Sequence, residues 1–189
     1  MSRRTKSYVT PAAYLADERR SEHRSEYFDG EVVAMTGASR KHNLIALNVA
    51  AELRAQLRGR DCETYVSDMR VRIPSANIYT YPDVVVVCGE PSFEDAEVDT
   101  LLNPTLIVEV LSKSTADYDR EAKFTNYRTL STLTEYFLVS QDERHVTRHA
   151  RQPDGRWLAS DVSGPDDSVE LSSVGCVLRL REIYERVEV

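Results

Sequence analysis

Glycine and cysteine are scarce in this 189-residue chain, at seven and three, and the devices they build are missing with them. There is no G-x-x-x-x-G-K-[ST] loop and no G-x-G-x-x-G turn, so the common phosphate cradles of nucleotide and dinucleotide cofactors are excluded. Cys62, Cys88 and Cys176 are odd in number, widely spaced and form no C-x-x-C pair. The expected reading is free thiols in a reducing cytoplasm. His145 and His149 stand four apart in a strand-like segment with no third ligand nearby, which argues against a tetrahedral zinc site. Ser39 and His42 in GASRKH lack the G-x-S-x-G elbow of a nucleophilic serine. No apolar run approaches the roughly 18 residues of a membrane span. The basic amino terminus MSRRTKSYVT has no apolar stretch of a secretory leader.

A hydrophobic fraction of 41% beside a charged fraction of 29% is that of a globular chain. Its length suits one domain, 1–189, with a sizeable core. The net charge of −7 argues against general nucleic-acid coating. It is unevenly spread: residues 1–72 sum to +3 and residues 73–189 to −10. A basic face built from Arg54, Arg58, Arg60, Arg70 and Arg72 is one reading of that asymmetry; an ordinary solvated surface is the other.

Local signals give a mixed order of elements. Thr10-Pro11 is an N-cap followed by a first helical position, predicting a short helix to about Asp17. Asp29-Gly30 between strand-like flanks predicts a hairpin in EYFDGEVVAM. Ala46, Ala50, Leu53 and Leu57 repeat at helical spacing from Lys41, with Gly59 as the stop. Strands are predicted at Glu63–Val66, Met69–Ile73, PDVVVV, LIVEVL and LTEYFLVS, and antiparallel strands over the remainder. Between them, 89–103 reads as a solvated acidic loop, and Ser114 to Asp117 as an S-x-x-D helix start leading to about Arg128. The fold class is α/β.

Two carboxylates are out of place in this pattern. Asp83 opens the run PDVVVV and Glu109 interrupts LIVEVL. Alternation places Ile107, Glu109 and Leu111 on one face and Leu106, Val108 and Val110 on the other. Both faces are apolar, as on a central strand. A carboxylate there needs a partner or a metal, and two on strands suit a hard cation such as Mg²⁺. A structural ion pair for Glu109 and a simple cap for Asp83 are the alternatives. On the following helix Asp119, Lys123 and Tyr127 share one stripe. Lys123 either pairs with Asp119 on the surface or points back at the carboxylates. Glu31 after the turn offers a third carboxylate, and His42 a phosphate contact or proton relay.

The string P-D83, then E109-V-L, then a displaced lysine, resembles the PD-(D/E)XK nuclease superfamily, although Leu111 stands where the motif has lysine. More specifically, TPAAYLADE, FDGEVVAMTGASRKH, YVSDMRVRI, YPDVVVV, NPTLIVEVLSKSTADYDREAKFTNYR, LTEYFLVS and GRWLASDV resemble, in order and spacing, the Uma-type restriction endonuclease family. The resemblance implies a restriction-endonuclease-like mixed sheet flanked by helices with additional antiparallel strands. It also implies hydrolysis of DNA phosphodiesters with Mg²⁺ or Mn²⁺ and no nucleotide cofactor. By the same resemblance Asp83 and Glu109 match the metal carboxylates, the Val110 carbonyl a further ligand, and Lys123 the catalytic lysine. Glu31 and His42 match accessory positions. A homodimer is expected, since cutting two strands is simplest with two copies. The competing expectation is a catalytically silent nuclease-like domain used for DNA binding or assembly.

Overall fold

The structure is a computed structural model that describes residues 8–112 and 118–189, with backbone only at 118–120. Helix α1 (Pro11–Glu18) starts where its cap requires, the Thr10 hydroxyl accepting from the Ala13 N–H at 3.2 Å. Strands β1 (Ser25–Phe28) and β2 (Glu31–Ala34) form the expected hairpin. Asp29 and Gly30 both take positive φ, 41° and 97°, as a type I′ turn demands. Helix α2 (Arg40–Gln56) is capped by Ser39 and buries Ile45, Val49, Ala50 and Leu53. After it come β3 (Cys62–Val66), β4 (Arg70–Ile73), β5 (Ile78–Thr80), β6 (Val84–Cys88), β7 (Thr100–Leu101) and β8 (Leu106–Leu111). A wide π-helical turn, Tyr118–Lys123, runs directly into α3 (Phe124–Tyr127). The S-x-x-D start lies outside the described residues. The chain ends through β9 (Glu135–Ser140), β10 (Val146–Arg151), β11 (Trp157–Val162), β12 (Ser168–Leu171), β13 (Cys176–Arg179) and α4 (Leu180–Ile183).

The central layer is a six-stranded mixed sheet ordered β11-β10-β9-β8-β6-β3, in which only β8 and β9 run parallel. One face carries Val84, Val86, Leu106, Val108 and Val110 against α2, α4 and the β12–β13 hairpin. The other carries Val85, Val87, Ile107 and Leu111 against Tyr127 and the apolar side of a five-stranded sheet ordered β2-β1-β5-β4-β7. The α/β class and the mixed sheet are as expected. The second flank, however, is mostly a sheet: Val71 and Ile73 alternate along β4 and, with Ile78 on β5 and Leu101 on β7, turn one face of these short strands to the core. On β8 both residue sets are buried, as a central strand requires. No helix among the described residues is long and apolar enough to cross a membrane.

Three expectations are corrected. Cys62 and Cys88 are not free thiols; they face each other in the β3–β6 register and form a disulfide across 26 residues. Cys176 alone is free, and buried. A loop of this length contributes about 3 kcal/mol in the chain-entropy view, so reduction should lower the melting temperature by several degrees. Intact mass under non-reducing conditions checks the bond, and an unchanged melt after reduction would count against its contribution.

The proposed basic face does not exist around Arg70 and Arg72, and the acidic loop is not simply solvated. Arg70 is 3% exposed and pairs with Asp99 at 2.7 Å, while Arg72 pairs with Glu94. Arg19 clamps Asp95 and Asp99 at 2.8 and 2.9 Å. The loop's carboxylates therefore neutralise arginines of the first half, which accounts for part of the charge asymmetry.

The Arg19 guanidinium foremost, with Arg70 adding, holds the Asp99 carboxyl well below the usual carboxylate range against the opposing effect of burial. A depressed folded value means that Asp99 stabilises the fold above its unfolded value of about 3.9. That stabilisation is lost as the pH falls toward the folded value. Asp99→Asn should accordingly melt below wild type at pH 6, with the gap closing below about pH 4. A gap independent of pH would show that the ion pairs do not carry it.

Candidate active site

The ends of β6 and β8, the first turn of α2, the hairpin and the π-helical turn surround one cavity of about 920 Å³. Asp83, Glu109, Val110, Lys123, Glu31 and His42 all line it. The β6–β8 register pairs Val84 with Val108. Continued by one residue it sets Asp83 opposite Glu109, and by two, Pro82 opposite Val110. Cross-strand partners share a face, so the two acids meet because of the register rather than by chance of a loop.

Proline has a further consequence here. The Val110 N–H donates to Asp83 Oδ2 at 2.7 Å, so Val110 presents its peptide groups toward the β6 side. Its carbonyl faces the same side, and Pro82, with no N–H, can donate no ladder hydrogen bond to it.

Lys123 reaches the carboxylates. Its ammonium lies 3.2 Å from Glu109 Oε1 and 3.6 Å from Glu26 Oε1. The Tyr127 phenol, one helical turn on, donates to the same Glu109 oxygen at 3.0 Å. Burial first, then the Glu109 charge, hold that phenol well above its ordinary value, so Tyr127 remains a hydrogen-bond donor. Leu111 explains why the lysine is displaced. It is 5% exposed and packs in the same apolar cluster as Tyr127, so the motif position is core and the overlying helix supplies the cation.

His42 Nε2 lies 3.3 Å from Asp83 Oδ2, an orienting contact from α2. The Ser39 hydroxyl accepts from the His42 N–H at 3.1 Å and donates to Gln141, just past the end of β9, at 2.6 Å. The helix start is thereby pinned to the central sheet. Glu31 stands at the exposed start of β2, on the cavity wall.

Glu26 is the residue that sequence reasoning missed. Its Oε1 accepts from the Thr80 hydroxyl and from the Tyr81 N–H, the latter at 3.4 Å. In SEYF a glutamate beside serine and tyrosine carries no anomaly, so only the pairing of β1 with β5 reveals it.

A Mg²⁺ ion fits the chemistry of this donor set. Among the described residues no three His, Cys, Asp or Glu side chains gather into a metal-holding cluster, which is unlike a closed zinc cage. Asp83, Glu109 and Val110 line the same cavity, and their carboxylate and carbonyl oxygens are hard donors. Mg²⁺ keeps several waters and takes only one or two carboxylates.

Comparison with known proteins bears on the same elements. The family model described as "Uma2: Putative restriction endonuclease" matches residues 11–181. The chain belongs to that family. Its relatives include two uncharacterized proteins of Synechocystis sp. One, sll1609, is 38% identical over 168 residues, covering 89% of this chain and 95% of its own. The other, slr1290, is 36% identical over 176 residues, covering 93% and 91%. A crystal structure described as "a putative nuclease belonging to DUF820" from Anabaena variabilis superposes with a TM-score of 0.78. It is 17% identical and covers 95% of this chain and 99% of its own; at that identity it shows the shared fold. The Uma2 match spans every element that lines the cavity, from the β1–β2 hairpin to β9.

Proposed function

We propose that this Uma2 protein is a Mg²⁺- or Mn²⁺-dependent endonuclease that hydrolyses DNA phosphodiester bonds. The observation that carries the reading is the meeting of Asp83, Glu109 and Lys123 in one recessed cavity. Asp83, Glu109 and the Val110 carbonyl would hold the ion. Bound there, Mg²⁺ supplies Lewis-acid polarisation of the phosphoryl group and favours deprotonation of water.

The chain's own groups do the rest. Lys123 orients the attacking water and offsets negative charge that grows on the phosphorus oxygens. Water adds to phosphorus and gives up a proton to solvent, the bond to the leaving sugar oxygen breaks, and solvent protonates that oxygen. Tyr127 and Glu26 fix Lys123 and Glu109 in place. His42 orients Asp83, and Glu31 holds a water at the rim. Four carboxylates, Glu26, Glu31, Asp83 and Glu109, line the cavity, and they would repel a phosphodiester without a cation. On a duplex, two copies acting on opposite strands complete the cut, so the proposal extends to a homodimer.

Plasmid DNA with purified protein tests this. Nicking should require Mg²⁺ or Mn²⁺, stop with EDTA, and return on adding back metal. Ca²⁺ should support binding without efficient cleavage. Absence of cleavage of DNA and RNA under all these metals would replace the reading by a silent nuclease-like binding domain.

A further inference from the structure

Rows of residues across the central sheet bring one more side chain to the carboxylates. Tyr65 on β3 stands opposite Val85 on β6, and Val85 opposite Ile107 on β8. All three pack on one face of the sheet. Two residues further along each strand, where the same face recurs, the row reads Ser67, Asp83, Glu109. The Ser67 N–H donates to the Asp83 carbonyl at 3.1 Å, so the row holds just past the end of β3. Neighbouring strands lie about 4.8 Å apart, which sets Ser67 one strand from Asp83 and two from Glu109. Ser67 lines the same cavity. It is exposed beside the edge strand, whereas Asp83 and Glu109 expose 17% and 5% of their side chains. The row therefore runs from the mouth of the cavity to its floor.

Ser67 holds a backbone conformation that serine does not favour. Its φ is 41°, and the Asp68 N–H closes on the Val66 carbonyl across it, making a tight three-residue turn. Glycine takes positive φ at no steric cost, so the turn alone does not call for a hydroxyl. Strain retained at a cavity points to a use for the side chain. Phosphodiester oxygens need donors, and serine is one of the side chains that supply them. Most polar groups of this cavity are acceptors or already engaged. Glu26, Glu31, Asp83 and Glu109 are carboxylates. The Ser39 hydroxyl donates to Gln141 and the Tyr81 hydroxyl to Glu18, while Lys123 lies between Glu109 and Glu26. Another lysine or arginine beside Asp83 would compete with a metal ion for that carboxylate. A hydroxyl donates without carrying charge.

We infer that Ser67 is a substrate contact of this site, its hydroxyl donating to a non-bridging oxygen of the phosphodiester bound at Asp83 and Glu109. The inference rests on the hydrolytic reading for the position of the phosphodiester. It adds a residue that binds substrate at the mouth of the cavity without holding the ion.

Ser67→Gly and Ser67→Ala test it in the full-length protein. Glycine removes the hydroxyl and relieves the strain, while alanine removes the hydroxyl alone. Ser67→Gly should melt at or above wild type, and Ser67→Ala close to it. Both should bind a fluorescein-labelled DNA duplex in Ca²⁺ about tenfold more weakly, the loss expected for one hydrogen bond to a charged group. In Mn²⁺ both should lower kcat/KM by a similar factor, with most of the change in KM, as for a contact already made in the ground state. Calorimetric Mg²⁺ affinity without DNA should be unchanged. A serine kept only for its turn would alter the melting temperature and leave DNA affinity and KM at wild-type values. That result overturns the inference and leaves the nuclease reading intact. Weakened Mg²⁺ binding in both variants would put the hydroxyl on the ion instead of the substrate and overturn it equally. If wild type cuts nothing but binds the duplex in Ca²⁺, and both variants bind it more weakly, hydrolysis falls and the contact stands. If wild type binds no DNA, the contact falls as well.

Discussion

Glu109→Ala should lower metal-dependent cleavage by about 10³-fold or more, with the protein still folded. In the proposed mechanism Glu109 is a metal carboxylate, and it accepts hydrogen bonds from Lys123 and Tyr127. A Lewis-acidic ion contributes several kcal/mol of charge stabilisation in the transition state, and about 4 kcal/mol corresponds to roughly 10³ in rate. The substitution also removes the Glu109 acceptor from the buried Tyr127 phenol, which keeps the Thr80 hydroxyl at 3.3 Å, a loss on the order of 1–3 kcal/mol in stability. Glu109→Gln separates the two effects, since its carbonyl still accepts from Tyr127 while its charge is gone. It should melt closer to wild type than Glu109→Ala and be nearly as inactive. Calorimetric Mg²⁺ binding should weaken in both. Cleavage by Glu109→Ala at the wild-type rate would remove the metal site from the mechanism.

The parts of this site that the sequence discloses are those that violate a local rule. Glu109 is conspicuous because every neighbour from Leu106 to Leu111 is aliphatic, and Asp83 because it follows proline at the start of a valine run. Burial on both faces of β8 bears out that reasoning. Lys123 is legible only through the family resemblance, since a lysine on a helix is ordinary and its real partners, Glu109 and Glu26, lie 14 and 97 positions away.

Groups that obey local rules stay hidden until the chains are paired. Glu26 reads as a solvent-facing strand residue, and Ile78–Thr80 is too short to announce a strand. Cys62 and Cys88 look unrelated until the β3–β6 register sets them opposite each other. The acidic segment illustrates the same limit: its composition is that of a solvated loop, yet Asp95 and Asp99 close on Arg19, some 76 and 80 residues earlier. Local pattern determines the elements, while long-range register determines which charges meet.

Lys123→Met should reduce cleavage by about 10²–10³-fold, the loss typical of removing one preorganised group that stabilises developing charge. The drop should appear in kcat. Methionine keeps the length and apolar stem of the side chain, but it leaves Glu26 and Glu109 facing a cavity without their shared cation. Both carboxylates are largely buried, so breaking the triad should destabilise the metal-free protein, on the order of 3 kcal/mol. Mg²⁺ should recover much of that deficit, because an ion that binds only the folded state stabilises it by about 2.7 kcal/mol at a hundred times its Kd. Metal affinity should be retained or tightened, since a competing positive charge has been removed from Glu109. Glu26→Gln provides the contrast. Lys123 keeps Glu109 as its partner, so the loss should be smaller, about 10–100-fold, as for a group that positions another. Wild-type cleavage by Lys123→Met would take the lysine out of the reaction. A variant that neither cleaves nor gains stability from Mg²⁺ would show that its defect lies in the fold of the site rather than in the missing ammonium.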